Sequence, residues 1–157
     1  MNQTEARKIA LSLMEQHGLG HVPFKFDRAV NRLGATRYNR QNGKTTQISL
    51  SATLLPHMKE KDVRDVVLHE IAHALANEAA GCGVGHDWRW RQKCREIGAN
   101  PTRTSDAVPS EIINRMAKYV LICPVDMQTL GYRHRASQGM YSLKCRTHRR
   151  TVLVRQA

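Results

Sequence analysis

His69 and His73 stand four residues apart in the run LHEIAHALANEAAGCGVGHDWRW, residues 68–90, with Glu70 directly after the first of them. Four residues of α-helix turn the chain through about 400°, so both imidazoles project from one face, about one turn apart. Two nitrogens placed that way can bind the same Zn²⁺ at about 2.0–2.1 Å each. Glu70 leans toward the same side, close enough to act on a water at the metal without being a ligand. This is the HExxH arrangement, in which the glutamate serves as general base. With eight His and seven Glu in 157 positions, chance supplies such a window roughly 0.02 times per chain. The competing account is a core helix whose histidines merely make hydrogen bonds.

A catalytic zinc takes three protein ligands and keeps one position open for water. Glu78 is a poor third ligand, being rotated away on the same helix, and Glu96 is a candidate from a later helix. His86 is the better choice. Twelve residues separate it from His73, and Gly81, Gly83 and Gly85 lie between. Glycine lets the backbone reverse tightly, so a following helix can return His86 to the face that carries the first two histidines.

The elements that must position these groups follow from hydrophobic pattern and turn residues. Thr4 is the expected cap of a first helix to about His17, with Ile9, Leu11, Leu13 and Met14 on its apolar face and Gly18 as its stop. PFKF, LGATRYN and KTTQISLS read as three strands of a small antiparallel sheet, the last two separated by the turn-like RQNG. A second helix, from about Lys61 to Ala80, is apolar almost all round, as expected of a buried central helix. A third runs from about Asp87 to Ile97. Pro, Thr, Ser and Asp dominate from Asn100 to Pro109, which marks a loop, and a short helix near Ser110 to Lys118 closes the first unit.

The fold class is therefore α+β, with a helix-and-sheet domain over residues 1–118 and a different kind of tail over 119–157. A 41% hydrophobic composition suits a globular chain. No apolar run approaches the roughly 18 residues that cross a membrane. The N-terminal segment has charges spread through a helical pattern, so it reads as structure and not as a signal peptide. The expected location is the cytoplasm, where thiols stay reduced. Cys82, Cys94, Cys123 and Cys145 are then poor disulfide candidates and read as metal ligands or buried thiols. The net charge of +12 favours polyanionic partners, nucleic acid foremost.

The stretch HEIAHALANEAAGCGVGHDWRW, followed by CREIGANP, resembles the SprT-like metallopeptidases, the group that includes Spartan proteases. The resemblance extends over most of the chain. It implies a zincin-like domain with His69, His73 and His86 as zinc ligands and Glu70 as the catalytic glutamate. Trp88 or Trp90 would fill the family's aromatic position, as packing rather than chemistry.

The tail carries seven Lys or Arg against one Asp, half of the chain's positive excess. Cys145 and His148 form a C-x2-H knuckle between expected strands, and Cys123 lies in an earlier one. A structural zinc takes four N or S ligands. SprT-like proteins often end in a zinc ribbon with an Arg-His pair between its knuckles; Arg133-His134 matches that pair, so the resemblance implies His134 as the fourth ligand. Asp126 is the alternative, since it sits where C-x2-C would put a second cysteine. A metal-free hairpin tail is the rival reading. Arg133, Arg135, Lys144, Arg146, Arg149 and Arg150, with Tyr132 and Tyr141 interleaved, are expected to contact phosphates and stack on exposed bases.

Two functions of different class follow. One is a monomeric, nucleoid-associated zinc metalloendopeptidase, with one catalytic zinc and a second, structural one. By resemblance, its substrates would be DNA-bound or DNA-crosslinked proteins, and its DNA single-stranded or mixed. In that reading a strand such as Lys44 to Ser51 pairs with extended substrate. The other is a DNA-binding module whose zinc site is structural or inactive, against which Glu70 argues, because a structural site has no need of that base. A third reading, a general peptidase indifferent to DNA, predicts no binding or stimulation by DNA.

Overall fold

The structure, a computed structural model, describes residues 1–102 and 107–157. It is a mixed α+β chain with two compact units, Met1–Val108 and Pro109–Ala157. Residues 103–106 of the loop expected over 100–109 lie outside the described part. The short helix at 110 belongs to the second unit, not to the end of the first. No helix among the described residues is long and apolar enough to cross a membrane.

Helix α1 spans Gln3–Gln16, and its cap is Asn2 rather than Thr4. Asn2 is extended, its side chain accepts the Glu5 N–H at 2.9 Å, and the Glu5 carboxylate accepts the Asn2 N–H at 3.4 Å. That reciprocal pair satisfies two orphan donors at once, which Thr4, inside the first turn, cannot do. Ala6, Ala10, Leu13 and Met14 are the buried face, whereas Leu11 is exposed.

Strands β1 (Phe24–Asp27), β2 (Gly34–Tyr38) and β3 (Thr45–Ser51) form a sheet of order β1-β3-β2. The sheet is mixed, not antiparallel throughout: β2 pairs antiparallel with β3, and β1 pairs parallel with it. The β2–β3 link is a tight hairpin closed by Asn39 N–H to Lys44 O at 2.8 Å, which forces antiparallel pairing. Between β1 and β2 the chain reverses without pairing, so β1 falls on the far side of β3 and runs parallel to it. Flanked on both edges, β3 buries four consecutive residues, Ile48 to Ser51. Its buried Ser49 hydroxyl is satisfied by the Asp27 carboxylate at 2.9 Å.

Helix α2 (Glu60–Ala80) packs against α1, β2 and β3, and against α3 (Trp88–Glu96). Contact on so many sides explains why its apolar residues do not keep to one stripe. Gly81 ends it at φ +65°, a left-handed conformation that costs glycine nothing. Between α2 and α3 lies a core of Ala72, Ala76, Val84, Trp90, Cys94 and Ala99. Trp90 is fully buried there, removing ~200 Å² from water, worth at most about 5 kcal/mol.

The second unit carries α4 (Ser110–Arg115) and a sheet of β4 (Tyr119–Ile122), β5 (Thr129–Arg133) and β6 (Leu153–Gln156), ordered β5-β4-β6 and antiparallel. Its apolar core is small, with Leu121, Met140 and Val152 at the centre. So small a core supplies little stability by itself.

Candidate metal centres

His69 and His73 project from one face of α2, as their spacing requires, and His86 reaches them from the residue before the α3 cap. The Nε2 atom of His86 lies 3.0 Å from that of His69 and 3.2 Å from that of His73. Two nitrogens bound tetrahedrally at about 2.0–2.1 Å stand about 3.3–3.4 Å apart, so the spacing fits a shared zinc. Hydrogen bonds alone do not account for it: His73 gives its ring proton at Nδ1 to the Val84 carbonyl, so His86 Nε2 would have to donate to His73, and its one proton cannot serve His69 as well. The three histidines form a metal-ligand group compatible with zinc.

Trp90 is the floor of this centre. Its ring centroid is 4.8 Å from that of His69, 5.3 Å from that of His73 and 4.6 Å from that of His86. It is therefore Trp90 that packs against the histidines, whereas Trp88 is 69% exposed. Burial, first, and the positive charge of neighbouring imidazoles, second, hold His69 and His73 down at about 4. Both rings are thus neutral well below the ordinary histidine range, the form in which they ligate metal.

The turn that returns His86 is held by Asn77, a buried side chain that helical spacing and composition do not single out. Its Oδ1 accepts the Val84 N–H at 2.7 Å, and its carbonyl accepts the Cys82 N–H at 3.2 Å. The Val84 carbonyl accepts from His73 Nδ1 at 3.3 Å, which leaves Nε2 as the lone-pair nitrogen facing the centre. Asp87 then caps α3, accepting the Arg89 N–H at 2.9 Å. Only Gly81 of the three glycines takes a left-handed φ here. Gly83 serves by its lack of a side chain, since a Cβ would fall 1.8 Å from the Tyr38 hydroxyl oxygen.

Glu70, the residue after His69 on α2, is buried. Burial pushes its carboxyl up to about 7, against the Thr36 hydrogen bond and the Arg32 charge, which pull it down. The Thr36 hydroxyl lies 2.8 Å from Glu70 Oε2 and 2.7 Å from the Glu70 carbonyl oxygen. The other acidic candidates sit elsewhere: Glu96 binds Lys93 at 2.7 Å, and Glu78 accepts the Thr45 N–H at 3.1 Å.

In the second unit, Cys123, Cys145 and His148 bring their ligand atoms together, with His148 Nδ1 3.3 Å from Cys123 Sγ and 3.9 Å from Cys145 Sγ. This donor set is also compatible with zinc. His134 is not in the group; its Nδ1 meets the Met116 carbonyl at 3.3 Å instead. Asp126 is the neighbouring carboxylate, with Oδ2 3.7 Å from His148 Nδ1.

The backbone explains why Asp126 is there. Cys123 N–H bonds Gln128 O at 2.9 Å and Met127 N–H bonds Cys123 O at 3.0 Å; Cys145 N–H bonds Arg150 O and Arg149 N–H bonds Cys145 O, both at 2.9 Å. Among the described residues, Met127 and Arg149 are the two non-glycine residues with positive φ, at 59° and 56°. The two turns are thus copies of each other, and Asp126 holds in the first the place that His148 holds in the second. Cys145 is lowered to about 7, chiefly by the His148 N–H, whereas burial raises Cys123.

Arg133, Arg135, Lys144, Arg146, Arg149 and Arg150 are all exposed, as are Tyr132 and Tyr141. Among the described residues, none of these six cations forms an ion pair. Of the remaining cysteines, Cys94 is buried and Cys82 is exposed.

Three converging imidazoles on a helix and a glycine turn, with a buried glutamate next to the first in sequence, are the hallmarks of a zinc-metallopeptidase-like domain. The chain belongs to the SprT-like family, whose model matches residues 6–110. The match spans α1 to α3 and ends where α4 begins, so the second unit lies almost wholly outside it. No curated protein and no solved structure matches the chain.

Proposed function

We propose that this protein is a zinc-dependent metalloendopeptidase that hydrolyses peptide bonds of DNA-bound or DNA-crosslinked proteins. The observation that carries the reading is the buried Glu70 beside three converging imidazoles. His69, His73 and His86 would hold the zinc, whose Lewis acidity polarises the scissile carbonyl and acidifies the attacking water. Glu70 accepts the proton of that water and later hands it to the leaving amine.

Extended substrate pairs with β2 rather than with β3. The segment Lys44 to Ser51 forms the central strand, with both edges occupied, so it cannot add another. β2 is an edge strand and packs on α2, with Thr36 touching Glu70. A peptide added along its free edge passes Glu70 with its backbone held by ladder hydrogen bonds.

The second unit acts as a zinc-ribbon-like, DNA-binding module. Cys123, Cys145 and His148 hold a structural zinc, with Asp126 in the fourth place. Metal there offsets the smallness of the core. The exposed tail cations contact phosphates of single-stranded or mixed DNA, and Tyr132 and Tyr141 stack on bases. The protein works as a monomer at the nucleoid.

The test is incubation of zinc-loaded protein with single-stranded DNA and a DNA-crosslinked protein, with casein as a DNA-free substrate. Cleavage that DNA stimulates and that Glu70→Gln lowers by about 10²–10⁴-fold is expected. Activity that persists in Glu70→Gln would sink the mechanism. A wild type that binds DNA but cleaves nothing would favour a binding module, and cleavage indifferent to DNA a general peptidase.

A further inference from the structure

The Glu70 carboxyl rests against two residues of β2 that share a face because they are two apart in a strand. Thr36 places its hydroxyl 2.8 Å from Oε2. At Gly34 a Cβ would fall 2.9 Å from both Cγ and Oε1, so the absence of a side chain is what lets the carboxyl lie there. Thr36 is itself held, because its β-branched side chain is stiff at χ1, and its one hydroxyl proton lies between the Glu70 carbonyl oxygen at 2.7 Å and Oε2 at 2.8 Å and serves one of them at a time. The strand cannot drift under it either, since Thr36 pairs with Ile48 in the ladder.

We infer that β2, through Thr36 and Gly34, holds the carboxyl of Glu70, the residue next to His69, in one orientation, which makes Thr36 a positioning residue for the general base. A glutamate side chain has three rotatable bonds, and nothing in α2 alone selects among its rotamers. Thr36 ties Oε2, and the bare backbone at Gly34 leaves room for Oε1. The kinetic consequence rests on the peptidase reading, whereas the orientation of Glu70 does not.

The experiment compares Thr36→Val, which keeps the branched shape and removes the hydroxyl, with Thr36→Ser, which restores it. A misplacement of about 1 Å costs about a hundredfold in rate, so Thr36→Val should lower kcat by about ten- to a hundredfold. KM and zinc affinity should stay within about twofold, and Thr36→Ser should recover most of the loss. Gly34→Ala should lower kcat likewise by displacing the carboxyl. A second readout needs no turnover: in metal-free protein carrying ¹³C at glutamate carboxyls, the Glu70 signal is the one that Glu70→Gln removes. It should move in Thr36→Val and return in Thr36→Ser. Should Thr36→Val fold poorly, Thr36→Ala against Thr36→Ser carries the same comparison. A signal that stays put, or a Thr36→Val kcat within about twofold of wild type, overturns the inference. A signal that moves as expected in a protein that cleaves no peptide leaves the positioning intact and overturns the peptidase reading.

Discussion

Asn77 and His73 are linked through one residue, Val84: the Asn77 Oδ1 accepts its N–H at 2.7 Å, and its carbonyl accepts from His73 Nδ1 at 3.3 Å. The same bonds fix the turn that delivers His86, so one buried amide orients two of the three imidazoles. Asn77→Ala leaves the Val84 N–H unsatisfied, at a cost of about 1–3 kcal/mol. Zinc affinity should fall about 10–100-fold, as for other outer-shell partners of metal ligands. Asn77→Asp keeps the acceptor and should lose less of both. Thermal melts and zinc competition titrations read the two effects, and an Asn77→Ala protein with wild-type zinc affinity would refute the role.

The pH dependence of the metal-free protein has a defined sign. His69 and His73 sit at about 4 when folded, against an ordinary 6.5, so unfolding takes up protons between those values. Stability from these neutral rings is full above 6.5 and is lost as pH falls toward 4. Glu70, raised to about 7, works the other way: its contribution is full below the ordinary carboxyl range and is lost as pH rises through 7. Melting temperatures of chelator-treated protein should therefore fall between pH 6.5 and 5 more steeply in Glu70→Gln than in wild type. Adding His73→Gln should flatten that fall. A Glu70→Gln protein whose melting temperature holds or rises over this range would contradict the assignment.

What could be read in advance was local. Helical spacing alone places His69 and His73 on one face, and the glycines before His86 announce a tight return. Thr4 and Asn2 are both good caps by residue type, and only Glu5, three residues after Asn2, separates them. The order β1-β3-β2 was not legible, since strand patterns carry no record of which edge a distant strand chooses. Asn77 and Thr36 are silent in the sequence for a related reason: a polar residue on a helix or strand becomes meaningful only when its distant partner is known. The tail is more instructive. The C-x2-D spacing was visible, but the left-handed turns that make Asp126 equivalent to His148 fall on Met127 and Arg149, residue types that give no such signal.

The tail makes His134 and Asp126 separable by experiment. Wild-type protein should carry two zinc ions per chain by metal analysis. Asp126→Ala should lose the more labile of them or bind it weakly, because on the proposed assignment it removes the fourth ligand beside two cysteines and a histidine. His134→Gln should keep both, since His134 is engaged with the Met116 carbonyl at 3.3 Å. Asp126→Cys should tighten the site, because a thiolate is a softer and better zinc ligand than a carboxylate. Loss of tail zinc in His134→Gln with retention in Asp126→Ala would reverse the assignment.

Packing of α3 on α2 can be checked without any metal chemistry through the two cysteines outside the ligand groups. Cys94 is fully buried in the core beneath the histidines, and burial pushes its thiol up to about 11, whereas Cys82 is exposed in the turn after α2. Thiolate is the reactive form, and at pH 8 a thiol raised by about two pK units offers about a hundredfold less of it than an ordinary one. Exclusion of reagent from the core slows Cys94 further, to the rate at which α3 opens. Native protein treated with iodoacetamide should therefore label at Cys82 within minutes and at Cys94 only after denaturant is added, as peptide mass spectrometry would show. Comparable native labelling of both would mean that α3 does not stay docked on α2, and with it would go the geometry that brings His86 to His69 and His73.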